Sequence, residues 1–563
     1  YLKRGLKADV TATLPDRFKD GYGITPRAIE KMFAQGATLI LTCDNGISAI
    51  EAAERAKSLE IDLIVTDHHQ LPDKLPDCLA IVHPLLEFPH LKDLAGVGVA
   101  FLLCIALEGG YTSRMDFLLD FVALGTVADV VPLDGPNRAL VWKGIERVRE
   151  SKKNKKKLTP GLLALGAIAK VSLDTYCAQD IGYRLGPRLN AAGRLESPDV
   201  GFDLLVTNDP LEAGKFAQHI DGLNQERQKM NAAWEKKLIE RLEKEWDFEE
   251  EPFVVLEDED FPEGIVGILA GRIKEKYRVP VLLFSGHGDG AWKASGRSPL
   301  GFHLCDALTA CKSNLIGFGG HSQSAGCSAI REKIPFLRRD LNEFIRAKGW
   351  IRPSDEVWLD EELPFREANE RILEELDLLE PFGQSNPSPV FGILKARVIG
   401  KKVQGKRLLL RLDDGENVRE VTCWSADRFD ELEGLVRLTY TIRMGNQWGK
   451  KRIELVADRI ERIPEEEEET KEKIFAQLED FPSPASLRDG YRFLAENREM
   501  SLVDALEKME EVLSLSAIAV RQVFREVGIL VEKKDFWTLL EPPESDIEIE
   551  KLQSFRQYRR ERS

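Results

Sequence analysis

Acidic and imidazole side chains follow two predicted strands near the start of the chain. The first strand, Thr38–Thr42, runs into Asp44, and the second, Ile61–Thr66, runs into the cluster Asp67–His69. The interval between the two acids is about one strand–helix–strand unit. The carboxyl ends of neighbouring parallel strands share one edge of the sheet, and ligands bind at that edge. We therefore expect Asp44 and the second cluster to meet in one crevice.

A carboxylate and imidazoles in one crevice suit a divalent cation of borderline hardness, such as Mn²⁺. The alternative makes Asp44 a helix N-cap ahead of Ile47 and the histidines ordinary loop residues. Two adjacent histidines, His68 and His69, after an acid at the same sheet edge favour the metal site.

A third acid, Asp129, follows the apolar segment Phe117–Val127. An aspartate in so apolar a run is costly to bury unless it is paired or coordinates a cation. The alternative is a capping or turn residue ahead of Pro132. Asp129 is therefore a candidate third ligand.

The composition indicates several folded domains. The chain has 563 residues, of which 43% are hydrophobic and 31% charged, and chains of this length contain about three or four domains. No stretch reaches the ~18 apolar residues of a membrane span, and the N-terminus has no secretory signal. The eight cysteines are scattered singly, which argues against a zinc ribbon or a disulfide framework and predicts a cytoplasmic protein.

The pattern of elements predicts an α/β protein. A third strand, Leu79–Val82, extends a parallel sheet, and residues 96–150 are mainly helical. A long charged helix within residues 199–248 precedes a second α/β segment from Pro252 to Trp350. Five short strands between residues 390 and 457 are typical of an OB-fold barrel, and the tail after Glu465–Glu469 is helical.

Further candidates lie in the second α/β segment. Gly319 and Gly320 precede His321 in a predicted glycine-rich turn, where backbone N–H groups can approach a phosphate. Arg297 can make a forked phosphate contact, and Gly264–Ile268 opens a helix, which suits an anion. Each feature alone is more often structural than functional.

The net charge of −16 disfavours a nucleic-acid binder, but the predicted barrel is locally basic. Its aromatic residues stand among lysines and arginines, a pattern that fits base stacking and backbone tracking of single strands. The alternative is that these aromatics are core residues beside a solvated face. The four candidates are Trp424, Phe429, Tyr440 and Trp448. The basic loop Ser151–Lys157 is interpreted as a solvated connector.

Several motifs, in the same order, resemble the DHH phosphoesterases, most closely the bacterial exonucleases specific for single-stranded DNA. The resemblance covers roughly residues 1–460. It rests on TCDNGIS, VTDHH, DLAGVGVAF, ALGTVADVVPL, GPRLNAAGRL, SGRS, GGHSQSAG and EPFGQSNPSPVF. It implies two divalent ions, Mn²⁺ or Mg²⁺, with Asp44 bridging them and His68 and Asp129 as ligands of one. It also implies that Asp67 orients the cluster and that His69 faces the scissile phosphate.

The same resemblance implies a DHHA1 substrate-binding domain around the glycine-rich turn. It also suggests that Arg188, Asn190 and Arg194 line the cleft and hold the strand, with a structural salt bridge at a hinge as the alternative. Trp424 and Trp448 would stack on bases. The family often carries Trp-His where this chain has Pro262-Glu263, so one contact to the DNA end is absent or replaced.

One departure concerns the family's first metal motif, DxDxDG, which should lie shortly before Tyr1 and does not occur upstream of Asp44. We expect the sequence to be truncated at its N-terminus, and residues 1–563 to be inactive alone. The predicted domains are 1–198 (DHH), 199–250 (connecting helix), 251–352 (DHHA1), 353–463 (OB-fold) and 464–563 (acidic linker and helical tail).

The implied function is 5′-to-3′ degradation of single-stranded DNA in recombination and repair, with a single-stranded-DNA-binding protein and a helicase as possible partners. Two rival functions remain open. One is a phosphoesterase for oligonucleotides, cyclic dinucleotides or polyphosphate, which the long helix and barrel argue against. The other is a non-catalytic scaffold that binds single strands, which the missing first motif supports.

Overall fold

The computed structural model describes most of the chain. The described residues are 1–15, 23–151, 158–286, 290–353, 359–404, 407–424, 432–447, 450–463, 484–497, 505–506, 508–509, 520, 523–524, 530–533 and 536–539. They divide into two compact units. The first comprises Tyr1–Trp358, Asn369–Pro389 and Arg443–Ile453, and the second Leu359–Ala368, Val390–Ile442 and Glu454–Ser563.

The first unit begins with a three-stranded parallel sheet in the order β1-β2-β3. Its strands and the helices beside it are α1 (Pro26–Ala34), β1 (Leu39–Leu41), α2 (Ile50–Ser58), β2 (Asp62–Thr66) and β3 (Ala80–Val82). Buried apolar side chains, among them Ile29, Ile40 and Val65, hold the helices to the sheet. The predicted parallel α/β arrangement is confirmed.

A helical layer follows the sheet. It contains α3 (Pro84–Glu87), α4 (Gly96–Glu108), α5 (Leu118–Ala128), α6 (Gly135–Glu150), α7 (Pro160–Ile168), α8 (Ala178–Asp180), a π-helical turn (Ile181–Leu185), α9 (Gly186–Leu195) and α10 (Asp199–Val206). Short 3₁₀ turns lie at Pro89–Leu91, Ser113–Met115 and Leu173–Thr175. Buried residues of α5 to α10 belong to one hydrophobic core, so α5, which leads into Asp129, is packed against the helices that follow it.

The predicted long charged helix is confirmed as α11 (Pro210–Glu245), and three residues separate it from α10. Asp209 caps α11 by accepting a hydrogen bond from the Leu211 N–H. Pro210 lacks an N–H group and fits the first turn of a helix but not its interior, so the chain restarts the helix there.

A five-stranded sheet with order β4-β5-β6-β8-β7 completes the α/β part of the first unit. Its elements are β4 (Val254–Asp258), α12 (Val266–Tyr277), β5 (Val281–Ser285), β6 (Ala291–Arg297), α13 (Leu304–Ala310), β7 (Gly317–Gly320), β8 (Ser324–Ile330) and α14 (Ile334–Ala347), with 3₁₀ turns at Lys312–Asn314 and Arg331–Lys333. β4 and β5 are parallel, and the remaining pairs are antiparallel.

Most of the predicted barrel belongs to the second unit. Its strands are β9 (Glu361–Glu362), β10 (Phe391–Gln404), β11 (Arg407–Asp413), β12 (Val418–Cys423), β13 (Leu435–Gln447) and β14 (Lys450–Arg462). The order is β11-β12-β14-β13-β10-β9, and an additional β10–β11 pairing closes the barrel. The predicted OB-type barrel is confirmed. Helix α15 (Glu370–Asp377), which precedes β10 in the chain, belongs to the first unit.

The described part of the tail is not entirely helical. It contains α16 (Pro484–Glu496) and an antiparallel hairpin of β15 (Leu530–Lys533) and β16 (Phe536–Leu539). The hairpin corrects the prediction of an all-helical tail. Among the described residues, the helices are all too short or too polar to cross a membrane.

Candidate functional site

The carboxyl ends of β1 and β2 place Asp44 beside Asp67. The Thr66 hydroxyl donates to the Thr42 carbonyl at 2.7 Å, and the Asp44 N–H donates to the Thr66 carbonyl at 3.0 Å. Asp44 itself adopts a left-handed conformation with a φ of 65°. The backbone therefore turns sharply at the sheet edge and leaves the Asp44 side chain half exposed.

His68 lies between two carboxylates. Its Nε2 is 3.0 Å from Asp44 Oδ1 and 3.4 Å from Asp129 Oδ2, and Asp129 is the C-terminal cap of α5. The structure thus brings together the three side chains for which the sequence predicts a metal site. Asp44 does not cap α2, because that helix begins at Ile50.

Asp67 is held almost entirely by hydrogen bonds from its neighbours and is 1% exposed. Its Oδ2 accepts from the Ile47 N–H, and its Oδ1 accepts from the N–H groups of His68 and His69 and lies 2.6 Å from His69 Nδ1. Burial alone would raise the pKa of Asp67, but these hydrogen bonds lower it to about 2. Asp67 is therefore ionised and holds the two histidines in place by accepting their hydrogen bonds.

His69 completes the cluster. Its side chain lies within 4.8 Å of the ligand atoms of Asp44 and His68, and its backbone carbonyl is 2.7 Å from Nε2 of the buried His83. The hydrogen bond that His69 donates to Asp67, opposed by burial, raises the pKa of His69. Since Asp67 contacts Nδ1 of His69, the other ring nitrogen, Nε2, points away from Asp67.

The pKa values of His68 and Asp129 reflect their shared environment. Burial would lower the pKa of His68, but the hydrogen bond to Asp44 and the charges of Asp129 and Asp44 raise it. Burial raises the pKa of Asp129, and the nearby charge of Asp44 adds to this shift. The two carboxylates therefore repel each other, and a bound cation would relieve that repulsion.

Gly96, the first residue of α4, packs directly against the Asp44 carboxylate. A Cβ atom there would lie 2.6 Å from Asp44 Cγ and 2.8 Å from Asp44 Cβ, so any larger residue at this position would have to displace the Asp44 side chain or α4. The positive end of the α4 dipole also faces the carboxylate. The sequence interpretation assigned no role to Gly96, although its motif, DLAGVGVAF, was part of the family resemblance.

Strained backbone follows Asp129. Val130 has a φ of 61° and an exposed side chain. A β-branched residue in the left-handed region is a genuine outlier, and such strain persists only where the surrounding structure holds it. The loop after α5 is therefore fixed from outside rather than by its own preference.

The second sheet brings His321 towards the cluster. The charges of His69, His68 and Asp129 all act on His321, and its pKa is lowered first by burial and then by the two histidines. The predicted glycine-rich turn is wrong in detail, because Gly319 and Gly320 form edge strand β7 and pair with Gly326 and Ala325. Gly320, at a φ of 142°, has no room for a Cβ atom.

Arg297 ends β6 beside the start of α12. Its Nη1 donates to the Gly296 carbonyl at 2.7 Å, and a Cβ atom at Gly267 would lie 3.2 Å from its Nη2. Burial lowers the pKa of Arg297. The guanidinium therefore sits at the helix N-terminus that the sequence identifies as a possible anion site.

The three cleft candidates on α9 have different surroundings. Arg188 forms an ion pair of 2.8 Å with Asp221 of α11, and Arg194 donates to the Gly264 carbonyl at 3.1 Å. Asn190 is exposed. The contacts of Arg188 favour the structural alternative, since its guanidinium joins two helices.

The barrel aromatics also differ. Trp424 is 44% exposed, with the Arg407 guanidinium 4.6 Å from its ring centroid. Tyr440 is fully buried, and its hydroxyl donates to the Leu363 carbonyl at 2.6 Å, so it is a core residue. Phe429 and Trp448 lie outside the described residues.

The π-helical turn carries an aromatic residue that the sequence interpretation missed. Tyr183 is 82% exposed, and the glycines that flank it, Gly182 and Gly186, approach Val127 and Ala128 of α5. π-Helical turns are frequent at functional sites. The nearest signal in the sequence was the family motif that follows it, GPRLNAAGRL.

Three family models match the chain. Residues 1–126 match the DHH family N-terminal domain, residues 250–347 the DHHA1 domain and residues 359–459 the RecJ OB domain.

The relatives agree with these matches. The single-stranded-DNA-specific exonuclease RecJ of Salmonella typhimurium is 38% identical over 496 residues, which are 81% of this chain and 83% of that protein. The crystal structure of RecJ with Mn²⁺ from Thermus thermophilus has a TM-score of 0.65 and 29% identity, and the match covers 78% of this chain and 64% of that one. The corresponding Mg²⁺ complex has a TM-score of 0.59 and 28% identity over 78% of this chain and 69% of that one.

Proposed function

The chain belongs to the RecJ family of single-stranded-DNA-specific exonucleases, and on this premise we propose that it hydrolyses single-stranded DNA from the 5′ end at two divalent metal ions. The observation that carries the proposal is the position of His68 Nε2 between the carboxylates of Asp44 and Asp129, at 3.0 and 3.4 Å.

The donor set fits Mn²⁺ or Mg²⁺. Two carboxylate oxygens and one imidazole nitrogen converge on one region, and the carboxylates repel each other without a cation between them. Oxygen ligands suit Mg²⁺ and Mn²⁺, and imidazole suits first-row metals of intermediate hardness. Asp44, His68 and Asp129 would hold one ion, and Asp44 would reach a second.

Bound divalent ions supply Lewis-acid stabilisation and a nucleophile derived from water. The chain's own residues orient the phosphodiester. Asp67 keeps His69 protonated on Nδ1, and Nε2 can then face a phosphate oxygen. His321 approaches the same cluster from the second sheet. We infer that these two imidazoles contact the scissile phosphate.

The 5′ polarity would arise in the second sheet. Arg297, at the N-terminus of α12, offers a positive group to a terminal phosphate. Asn190 and Tyr183 expose a hydrogen-bonding and a stacking group on or beside α9. Mononucleotides would then be released from the bound end.

The barrel would hold another part of the strand. Trp424, with Arg407 against its ring, combines an aromatic surface with a positive charge, the pairing used to stack unpaired bases and neutralise their backbone. We place this activity in the cytoplasm, in recombination and repair, with a single-stranded-DNA-binding protein and a helicase as partners. The eight free cysteines agree with a reducing compartment.

The test is Mn²⁺-dependent release of mononucleotides from 5′-labelled single strands. It is made on the full-length protein, in which Asp44→Ala, His68→Ala and Asp129→Ala should each abolish cleavage and leave strand binding intact. Asp62→Ala, at the opposite end of β2, should be fully active.

Three results would contradict the proposal. Equal cleavage of duplex DNA would remove the strand specificity. A preference for dinucleotides would support the small-substrate phosphoesterase. Strand binding without cleavage by the full-length protein would support the non-catalytic scaffold.

A further inference from the structure

The side chain of Asn137 joins two loops that lead to the metal-site carboxylates. Asn137 is the third residue of α6 and is 2% exposed. Its Nδ2 donates to the Asp93 carbonyl at 2.6 Å and to the Pro132 carbonyl at 2.9 Å, and its Oδ1 accepts from the Ala95 N–H at 3.4 Å. Both amide protons and the carbonyl oxygen are thus used within one buried site.

The first of these loops determines the position of α4. Asp93 and Ala95 immediately precede Gly96, which packs against the Asp44 carboxylate. A shift of this loop would move the start of α4 relative to Asp44. Asn137 therefore fixes the surface on which the Asp44 side chain rests.

The second loop follows Asp129. It passes through the strained Val130 to Pro132, where Asn137 holds the backbone carbonyl, and the next N–H, of buried Leu133, donates to the Gln384 carbonyl at 2.7 Å. A left-handed valine needs such external restraint. Asn137 supplies one of the hydrogen bonds that hold Asp129 in place.

We propose that Asn137 is a positioning residue that sets the separation of Asp44 and Asp129 and thereby the affinity for the divalent ion. The proposal rests on the proposed function, since it assumes that these carboxylates bind metal. Metal sites tolerate errors of only about 0.2 Å in ligand distance. Groups that orient ligands without touching the metal typically alter affinity 10- to 100-fold when they are replaced.

An amide is the group that this position requires. Two carbonyl oxygens face Nδ2 and one N–H faces Oδ1. Asn137→Asp preserves size and shape but replaces the double donor with an acceptor, so both carbonyls would face an oxygen. The loops would then separate, and the two metal-site carboxylates would move with them.

The chain provides a matched control in Asn342, which is also 2% exposed. Its Nδ2 donates to the carbonyls of Phe253 and Arg338, both at 3.0 Å, and its Oδ1 accepts from the Phe253 N–H at 2.9 Å. It makes the same three kinds of hydrogen bond, but it joins α14 to β4. If Asn137 had only a structural role, the corresponding variants of Asn137 and Asn342 should change stability and Mn²⁺ affinity in the same way.

The experiment measures Mn²⁺ affinity of residues 1–563 by electron paramagnetic resonance of free Mn²⁺, with thermal unfolding of each metal-free variant. Asn137→Asp should weaken Mn²⁺ binding 10- to 100-fold, whereas Asn342→Asp should lower the melting temperature and leave Mn²⁺ affinity unchanged. Wild-type affinity in Asn137→Asp, or an equal loss in Asn342→Asp, would overturn the proposal.

Two further variants separate the possible failures. His68→Ala should lose the Mn²⁺ site, and if it binds Mn²⁺ like the wild type, the proposed function fails rather than the role of Asn137. If Asn137→Asp does not fold, Asn137→Ser is compared with Asn342→Ser. A loss of Mn²⁺ affinity confined to Asn137→Ser supports the proposal, and its absence refutes it.

Discussion

Replacing Gly96 with alanine should separate metal binding from stability. The added Cβ atom would lie 2.6 Å from Asp44 Cγ, whereas ordinary contacts begin at 3.4 Å. The obstruction is a short side chain on a tightly turned backbone, with Asp44 at a φ of 65°. The carboxylate therefore has to rotate away from His68 or push α4 outward.

The expected magnitude follows from these distances. The required displacement is several times the roughly 0.2 Å tolerance of a metal–ligand distance, and a misplacement of about 1 Å near reacting groups costs about 100-fold in rate. Alanine also favours a helix over glycine by up to about 1 kcal/mol. Gly96→Ala should thus bind Mn²⁺ at least tenfold more weakly with almost unchanged stability.

The assay pairs Mn²⁺ titration with thermal unfolding, and the rate of cleavage is measured on the full-length protein. Gly222→Ala is the control, because Gly222 lies in helix α11 and a Cβ atom there meets nothing within 4 Å. That variant should keep wild-type Mn²⁺ affinity. Unchanged Mn²⁺ affinity in Gly96→Ala would show that the position of the Asp44 carboxylate does not depend on its contact with Gly96, and would refute this prediction.

Three further predictions concern the strained backbone at Val130, the buried carboxylate of Asp67 and the exposed Trp424 of the barrel. Val130→Gly should relieve strain of about 1–3 kcal/mol but weaken Mn²⁺ binding by loosening Asp129, whereas Lys170→Gly, also at positive φ, should leave Mn²⁺ affinity unchanged in the same titration. Asp67 has its pKa lowered from 3.8 to about 2, so it stabilises the fold by about 2 kcal/mol above pH 4 and loses this contribution as the pH falls towards 2. Denaturant unfolding of Asp67→Asn should lack that pH dependence, and an unchanged dependence would exclude Asp67 as its source. Trp424→Ala should weaken single-strand binding by about 1–3 kcal/mol in an anisotropy titration, and unchanged affinity would exclude base stacking there.

The sheet edge could be predicted from the sequence because one simple rule governs it. Parallel strands end on the same side, so an acid after each of two strands is enough to indicate a shared crevice. Asp129 was identified differently, from the cost of an acid in an apolar run. The five barrel strands were predicted because turn residues separate them regularly.

Other features depend on contacts between distant segments, which a single sequence does not reveal. Gly96 is important because it contacts the Asp44 carboxylate. Asn137 is important because the loops before α4 and after α5 both form hydrogen bonds to its side chain. The glycines before His321 were predicted as a turn, but pairing with β8 makes them a strand. Arg188 was a candidate DNA contact, and the structure pairs it with Asp221 on another helix.

The contacts at the sheet edge explain why the residues that support the metal-site carboxylates should affect Mn²⁺ affinity as much as the ligands themselves do. Asp67 is held by three backbone N–H groups, so it cannot move without the strand ends. Among the described residues, backbone N–H groups give the carboxylates of Asp44 and Asp129 no comparable support, and both side chains are about half exposed. Asp44 itself is left-handed, and Asp129 precedes the left-handed Val130. Their separation must therefore be set by what packs behind them, namely Gly96 and the loops held by Asn137. It follows that variants at these two positions should reduce Mn²⁺ affinity more than a change at Asn45, which adjoins Asp44 in the chain.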